Sequence, residues 1–276
     1  MDDDLDVAAV RTFARDAFDL DAVMAAKGGR TVSVCIPAHN EAATLGLVLA
    51  AVRTSHVAAA GGSGLVDEVL VVDDGSTDAT WDVAALGGAR VVRLARRAGK
   101  GGAMRAALDA AESEVLVFLD ADVENMEGAF VTSLLGPLLV GPGDVALVKG
   151  YYERPIGDAP TGGGRVTELV ARPVLEVLFP EHPELQLVRQ PLAGETAAPR
   201  WALEKLGFAP GYGVEIGLLV DAVVRFGASA VAQVDLGTRV HRNRSLHELR
   251  PQAKEVLLAA IERARPGAVR SGARRG

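Results

Sequence analysis

Residues 115–122 read Val115-Leu116-Val117-Phe118-Leu119-Asp120-Ala121-Asp122, an apolar run that ends abruptly in two carboxylates one residue apart. Apolar residues in sequence, without alternation, describe a short strand buried on both faces, the kind found inside a parallel sheet. Two aspartates at its exposed end offer hard oxygen donors of the type that bind Mg2+ or Mn2+. Alone, such a triplet is more often a turn or a helix cap than a metal site. The neighbouring stretches supply the context.

Upstream, Val69–Val72 runs straight into Asp73-Asp74-Gly75-Ser76-Thr77-Asp78, and Val32–Ile36 is stopped by Pro37-Ala38-His39-Asn40-Glu41. Helical segments follow at Ala42–Ser55, Thr80–Leu86 and Gly102–Ser113, with a further strand at Arg90–Leu94. Strands alternating with helices across short polar turns predict an α/β fold, a mostly parallel sheet with helices on both faces. Such sheets take ligands at the carboxyl ends of their strands, where all three polar clusters fall. A turn and a helix capped by Ser76, Thr77 or Asp78 accounts for part of the second cluster, but not for its two leading carboxylates. His39 alone reads as a hydrogen-bonded loop residue.

The flanks are less regular. Val7–Ala25 carries apolar residues at helical spacing behind an acidic start, which predicts an N-terminal helix. In the second half the pattern predicts a strand at Val145–Tyr152, a Gly/Pro-rich loop at Gly157–Gly164, and a helix at Val166–Leu178 that Pro173 kinks or shortens. A helix at Glu215–Phe226, a strand at Val231–Leu236 and a closing helix at Leu246–Arg263 complete it. Residues 266–276, rich in Arg, Gly and Ser, predict a disordered tail.

The bulk properties narrow the function. The 276 residues are 49% hydrophobic and carry a net charge of −7. An acidic surface disfavours nucleic acid as the main partner, since phosphate backbones need a basic field. Cys35 is the single cysteine and sits in an apolar strand, so neither a disulfide nor a Cys-based zinc site is available. The acidic start MDDDLD lacks the features of a signal peptide, and no stretch reaches the ~18 apolar residues of a membrane span, which predicts a soluble cytoplasmic protein.

The three clusters, Ile36–Glu41, Val72–Asp78 and Asp120–Asp122, resemble in order and spacing the nucleotide-binding half of GT-A glycosyltransferases. In that fold the first two hold the nucleoside, and the Asp-x-Asp holds metal and diphosphate. Gly99–Gly101, Gly162–Leu169, Pro191–Glu195, Gly211–Gly217 and His241–Arg244 extend the likeness, over roughly residues 30–250, to the glucosyl-3-phosphoglycerate synthase family. The resemblance implies transfer of glucose from UDP-glucose to 3-phosphoglycerate with retention, a divalent metal (Mg2+, or Mn2+ or Co2+), and a homodimer. With the segment pattern it gives the expected organisation: residues 1–30 an N-terminal helix, 31–150 the nucleotide-sugar-binding GT-A half, 151–265 the acceptor-binding half with the closing helix, and 266–276 the tail.

By the same resemblance, Pro37, Ala38, His39, Glu41, Asp74, Gly99, Lys100, Asp120, Ala121, Leu192 and Glu215 bind the donor. Gly164, Arg165, Thr167 and Asn243 bind the acceptor, and Asp120, Asp122 and His241 bind the metal. Asp122, Glu215 and Lys100 carry the catalytic roles. The chemistry of these residues agrees. Lys100, between glycines in a loop, can bring a point charge close to a diphosphate. Arg165 and Thr167 at a helix start behind a glycine run suit an anion. Glu215 at a helix start also complements the helix dipole without any ligand.

Three functional classes remain. The first is the glucosyltransferase, with a mannosyl donor or another small anionic acceptor as its variants. A sugar-1-phosphate nucleotidyltransferase would be expected to carry a Gly-rich loop with Arg and Lys after the first strand, where this chain has Pro37–Glu41. A non-catalytic nucleotide-sugar binding protein would have no need of the metal set.

Overall fold

A computed structural model of the chain describes residues 9–56, 64–153, 155, 156, 159–162, 164–240 and 245–265. The predicted alternation is present. Strand β1 (Arg11–Phe13) precedes helix α1 (Leu20–Lys27), followed by β2 (Val32–Ala38), α2 (Leu45–His56), β3 (Glu68–Asp73), α3 (Thr80–Leu86) and β4 (Arg90–Arg93). Next come α4 (Gly99–Ala110), β5 (Val115–Phe118), α5 (Ala129–Leu139), β6 (Leu147–Glu153) and a small hairpin of β7 (Pro155–Ile156) and β8 (Ala159–Gly162). The chain closes with α6 (Arg172–Leu178), β9 (Thr196–Pro199), α7 (Arg200–Leu203), α8 (Val214–Phe226), β10 (Val231–Thr238) and α9 (Leu246–Ala264).

Eight strands form one sheet in the order β1-β10-β6-β9-β5-β2-β3-β4. Each neighbouring pair runs parallel except those made by β9, which is antiparallel to both β5 and β6. Alternate strand residues face opposite layers. Cys35, Leu70 and Phe118 pack with Met104, Leu108 and Leu219, whereas Val34, Ile36, Val71 and Val117 pack with Leu45, Phe130 and Leu134. Two apolar layers on one sheet explain why its central strands read as unbroken apolar runs.

Four expectations change. The helix predicted over Val7–Ala25 begins only at Leu20, where Asp19 accepts a hydrogen bond from the Ala22 N–H; Arg11–Phe13 instead adds to the sheet edge beside β10. Tertiary pairing has overridden a helical spacing pattern. The helix predicted from Gly102 starts at Gly99, so Lys100 rides on the first turn of α4 and not in a loop. The helix predicted over Val166–Leu178 is split ahead of Pro173: Thr167–Ala171 is wound as a wide π-helical stretch, and Pro173 sits in the first turn of α6, where its missing N–H removes a bond back to that stretch. Part of the predicted 157–164 loop pairs as β8. The tail 266–276 lies outside the described residues.

Helix α4 lies close against the turn before α8. A Cβ at Gly101 would stand 1.8 Å from the Ala209 carbonyl oxygen. Gly101→Ala is therefore expected to cost on the order of 2 kcal/mol by forcing the helix away, read as a lowered urea midpoint with an unchanged slope.

Candidate active site

The strand-end clusters do converge. At the end of β2, Ala38 accepts a hydrogen bond from the Asp74 N–H at 2.8 Å, and the His39 ring Nδ1 donates to the Asp74 carbonyl at 2.8 Å. The Glu41 N–H donates to Thr80 Oγ1 at 2.8 Å, and Asn40, at φ 57°, accepts from the Thr77 N–H through its side chain. Pro37–Glu41 and Asp73–Asp78 are thus stitched into one shelf over β2 and β3. The Asp74 carboxylate accepts the Ala98 and Gly99 N–H groups, at 2.6 and 2.8 Å. That caps α4, where the helix dipole favours an anion.

The capped helix delivers Lys100. Gly99, at φ +77°, meets Gly211, so the first turns of α4 and α8 are brought together. Lys100 Nζ then lies 2.6 Å from both Asp120 Oδ1 and Glu215 Oε1. Burial would lower the Lys100 ammonium, but the Asp120 and Glu215 charges hold it well above the ordinary lysine value. For Asp120, burial would raise the carboxyl, and the Lys100 and Arg239 cations hold it well below the usual carboxylate range.

Arg239, just past β10, is the residue that the sequence reading did not include. Its Nη2 sits 2.9 Å from Asp120 Oδ2 and 2.8 Å from Asp122 Oδ1. Its Nη1 donates to the Tyr152 hydroxyl at 2.7 Å and faces Glu195 Oε1 at 2.9 Å. The guanidinium is only 2% exposed and Glu195 is fully buried. Burial pushes the Glu195 carboxyl up, against the pull of Arg239. Gly194 must be a glycine here, since a Cβ would stand 2.2 Å from Asp120 Oδ1.

Lys149, on β6, is a second omission. It is 1% exposed, and its Nζ donates to the Ala193 carbonyl at 2.6 Å, which fixes the Pro191–Glu195 loop and with it the half-buried Leu192. Burial pushes this ammonium down to about 8, with Glu215 opposing. Since unfolded lysine titrates near 10.4, the unfolded chain holds more protons between those values, and stability from this group rises with pH across that window. Wild type is therefore expected to gain roughly 3 kcal/mol over Lys149→Met between pH 8 and 10.5, measured as the difference between two urea series.

Asp120 and Asp122 direct two oxygens at one guanidinium nitrogen, which marks a single cation-sized position between them. Hard carboxylate donors around that position fit Mg2+ or Mn2+. Among the described residues no set of three His, Cys, Asp or Glu side chains converges as a cage. His241, expected as third ligand, and Asn243, expected near the acceptor, lie outside the described residues. Ala121 is buried between the two aspartates. Gly164, at φ +79°, Arg165 and the buried Thr167 form a second group on the turn that opens the π-helical stretch. No helix of the described residues is long and apolar enough to cross a membrane.

The profile of Glycosyl transferase family 2 matches residues 33–180. Glucosyl-3-phosphoglycerate synthase of Mycobacterium tuberculosis (strain CDC 1551 / Oshkosh) is 46% identical over 266 residues, covering 91% of this chain and 79% of that one. The Petrotoga mobilis protein of the same name is 39% identical, covering 84% and 73%. The M. tuberculosis enzyme solved with Mn2+, UDP-glucose and phosphoglyceric acid superposes with a TM-score of 0.82 at 44% identity, over 92% of this chain and 87% of that one. Its complex with Mn2+, UDP and glucosyl-3-phosphoglycerate gives 0.82 at 44%, over 92% and 88%.

Proposed function

This chain belongs to glycosyl transferase family 2 and, within it, to the glucosyl-3-phosphoglycerate synthases, and from that membership we propose that it transfers glucose from UDP-glucose to 3-phosphoglycerate with retention. The observation that carries the reading is the convergence of Asp120 and Asp122 on one cation position beside the Lys100–Glu215 pair. A nucleotide sugar with a charged leaving diphosphate is a substrate that such a position suits.

In this reading the shelf formed by Pro37, Ala38, His39, Glu41 and Asp74 seats the nucleoside, and Gly99 and Leu192 border the donor. A divalent ion held by Asp120 and Asp122, with His241, neutralises charge on the departing diphosphate when bound. Lys100 adds a fixed positive charge at the same edge and loses nothing to reorganisation, because Asp120 and Glu215 already hold it. Glu215 keeps one oxygen on Lys100 and takes a hydroxyl of the sugar with its remaining acceptor capacity. Gly164, Arg165, Thr167 and Asn243 hold the carboxylate and phosphate of the acceptor.

The acceptor's free hydroxyl attacks the anomeric carbon on the face that the diphosphate leaves. A C–O bond forms as the bond to the diphosphate breaks, and the hydroxyl proton passes to the departing phosphate oxygen. A two-step route would need a carboxylate nucleophile on the opposite face. Glu195, the acidic side chain next to the aspartate pair, is buried and spent on Arg239, which favours the one-step route. Trapping a covalent glycosyl-carboxylate adduct by mass spectrometry would overturn it.

The test of the whole reading is direct. Purified protein with UDP-glucose, Mg2+ and 3-phosphoglycerate is expected to release UDP and yield glucosyl-3-phosphoglycerate by mass spectrometry. UDP-glucose binding with no product would retain the fold-level reading and discard the acceptor. The same reading carries a cytoplasmic homodimer, supported by exposed Leu169, Val177 and Leu258 on mutually packed elements of the second half. A monomer mass by light scattering at micromolar concentration would exclude the dimer.

A further inference from the structure

The guanidinium of Arg239 lies between the two aspartates that the proposed function assigns to the metal. One nitrogen, Nη2, spans Asp120 Oδ2 and Asp122 Oδ1 at 2.9 and 2.8 Å, and the other is anchored on Glu195 and the Tyr152 hydroxyl. The second oxygen of Asp120 is held by Lys100 at 2.6 Å. Both oxygens of Asp120 are therefore already paired with fixed cations, and an entering ion must displace one of them or share with it.

We propose that Arg239 is a built-in placeholder for the divalent cation, which holds the two aspartates in register and makes metal binding depend on the arrival of diphosphate. The charge balance of the cluster supports this coupling. Asp120, Asp122, Glu195 and Glu215 face Lys100, Lys149 and Arg239, four carboxylates against three cations, so the partly buried group carries one net negative charge. A divalent ion alone would add two positive charges beside Lys100 and Arg239, which already flank Asp120. A diphosphate alone would add negative charge beside two carboxylates. The two together restore the starting balance, and the diphosphate gives the displaced guanidinium an anionic partner. Arg239 acts through the aspartates and is a positioning residue in this scheme. A planar fork is required, since a lysine ammonium cannot span both aspartates while holding Glu195 and Tyr152.

The proposal rests on the metal-dependent reading above, and its test reads the metal and not turnover. Free Mn2+ is followed by electron paramagnetic resonance as it is titrated into the full-length chain, with and without UDP. Wild type is expected to bind Mn2+ at least tenfold more tightly with UDP than without it. R239Q and R239K are expected to bind Mn2+ alone at least fivefold more tightly than wild type, with the gain from UDP reduced at least fivefold. If R239Q fails to fold, by circular dichroism, R239K carries the comparison. A folded variant that binds Mn2+ alone at wild-type strength or more weakly, with the UDP gain intact, overturns the placeholder and leaves the glycosyltransferase reading standing. Absence of UDP-assisted Mn2+ binding in every form would sink that reading instead.

Discussion

Lys100→Met is expected to abolish useful turnover, with kcat/KM lower by about a thousandfold even where the variant remains folded. Lys100 pairs with both Asp120 and Glu215, at 2.6 Å each, and its side chain is 16% exposed. Removing it takes the shared cation from both carboxylates: Asp120 keeps Arg239, while Glu215, 5% exposed, loses its 2.6 Å partner. Breaking this partly buried pair is expected to cost about 3 kcal/mol of stability, and it leaves Glu215 without the cation that positions it for the sugar. Stability and catalysis can be separated by assaying below the unfolding midpoint of the variant. Lys100→Arg should recover most of the stability but little of the rate, because a fork cannot reproduce a point charge placed between two helix starts. Turnover within tenfold of wild type in a folded Lys100→Met variant would remove Lys100 from the mechanism.

Asp122→Asn should have the second large effect, with a different signature. Asp122 is 24% exposed, and its partner Arg239 keeps Asp120, Glu195 and Tyr152 when it is lost. The fold should therefore hold, with a stability change of about 1 kcal/mol. What goes is one of the two charged oxygens that define the cation position. Product formation is expected to fall about a thousandfold, and the calorimetric heat of UDP binding should become insensitive to added Mn2+. Metal-dependent UDP binding that survives in Asp122→Asn would place the metal elsewhere.

What sequence reading reaches here depends on how far apart the contributing residues lie. The strand-end carboxylates were legible because each cluster is continuous and abuts its own apolar run, so Asp73–Asp78 and Asp120–Asp122 announce both element and edge. Glu195 and Arg239 were not, because their meeting with Asp120 is set by an antiparallel β9 and by β10 on its far side. A charged residue inside an apolar strand, as in Leu147-Val148-Lys149, is a signal of a buried, partnered cation. Helix α5 was missed for the opposite reason. Phe130, Val131, Leu134 and Leu135 are buried, as are Thr132 and Ser133 between them, so no face of the helix is polar and no period shows. At the N-terminus the short β1 is held only by its pairing with β10, more than two hundred residues later, which local pattern cannot see.

The position of β9 also has a bearing on synthesis. The strand wedged between β5 and β6 is ninth in the chain, and the strand that joins β1 to the rest is the tenth. As the polypeptide leaves the ribosome, β2 to β5 can pair early, but β6 has no seat beside them until residue 199 has emerged, and β1 must wait for β10. The nascent chain therefore carries the open flank of β5, already ending in Asp120 and Asp122, for some eighty residues of translation. Unpaired strand flanks invite intermolecular pairing, so the interval before β9 arrives is the stretch of biogenesis in which this protein is most exposed to aggregation.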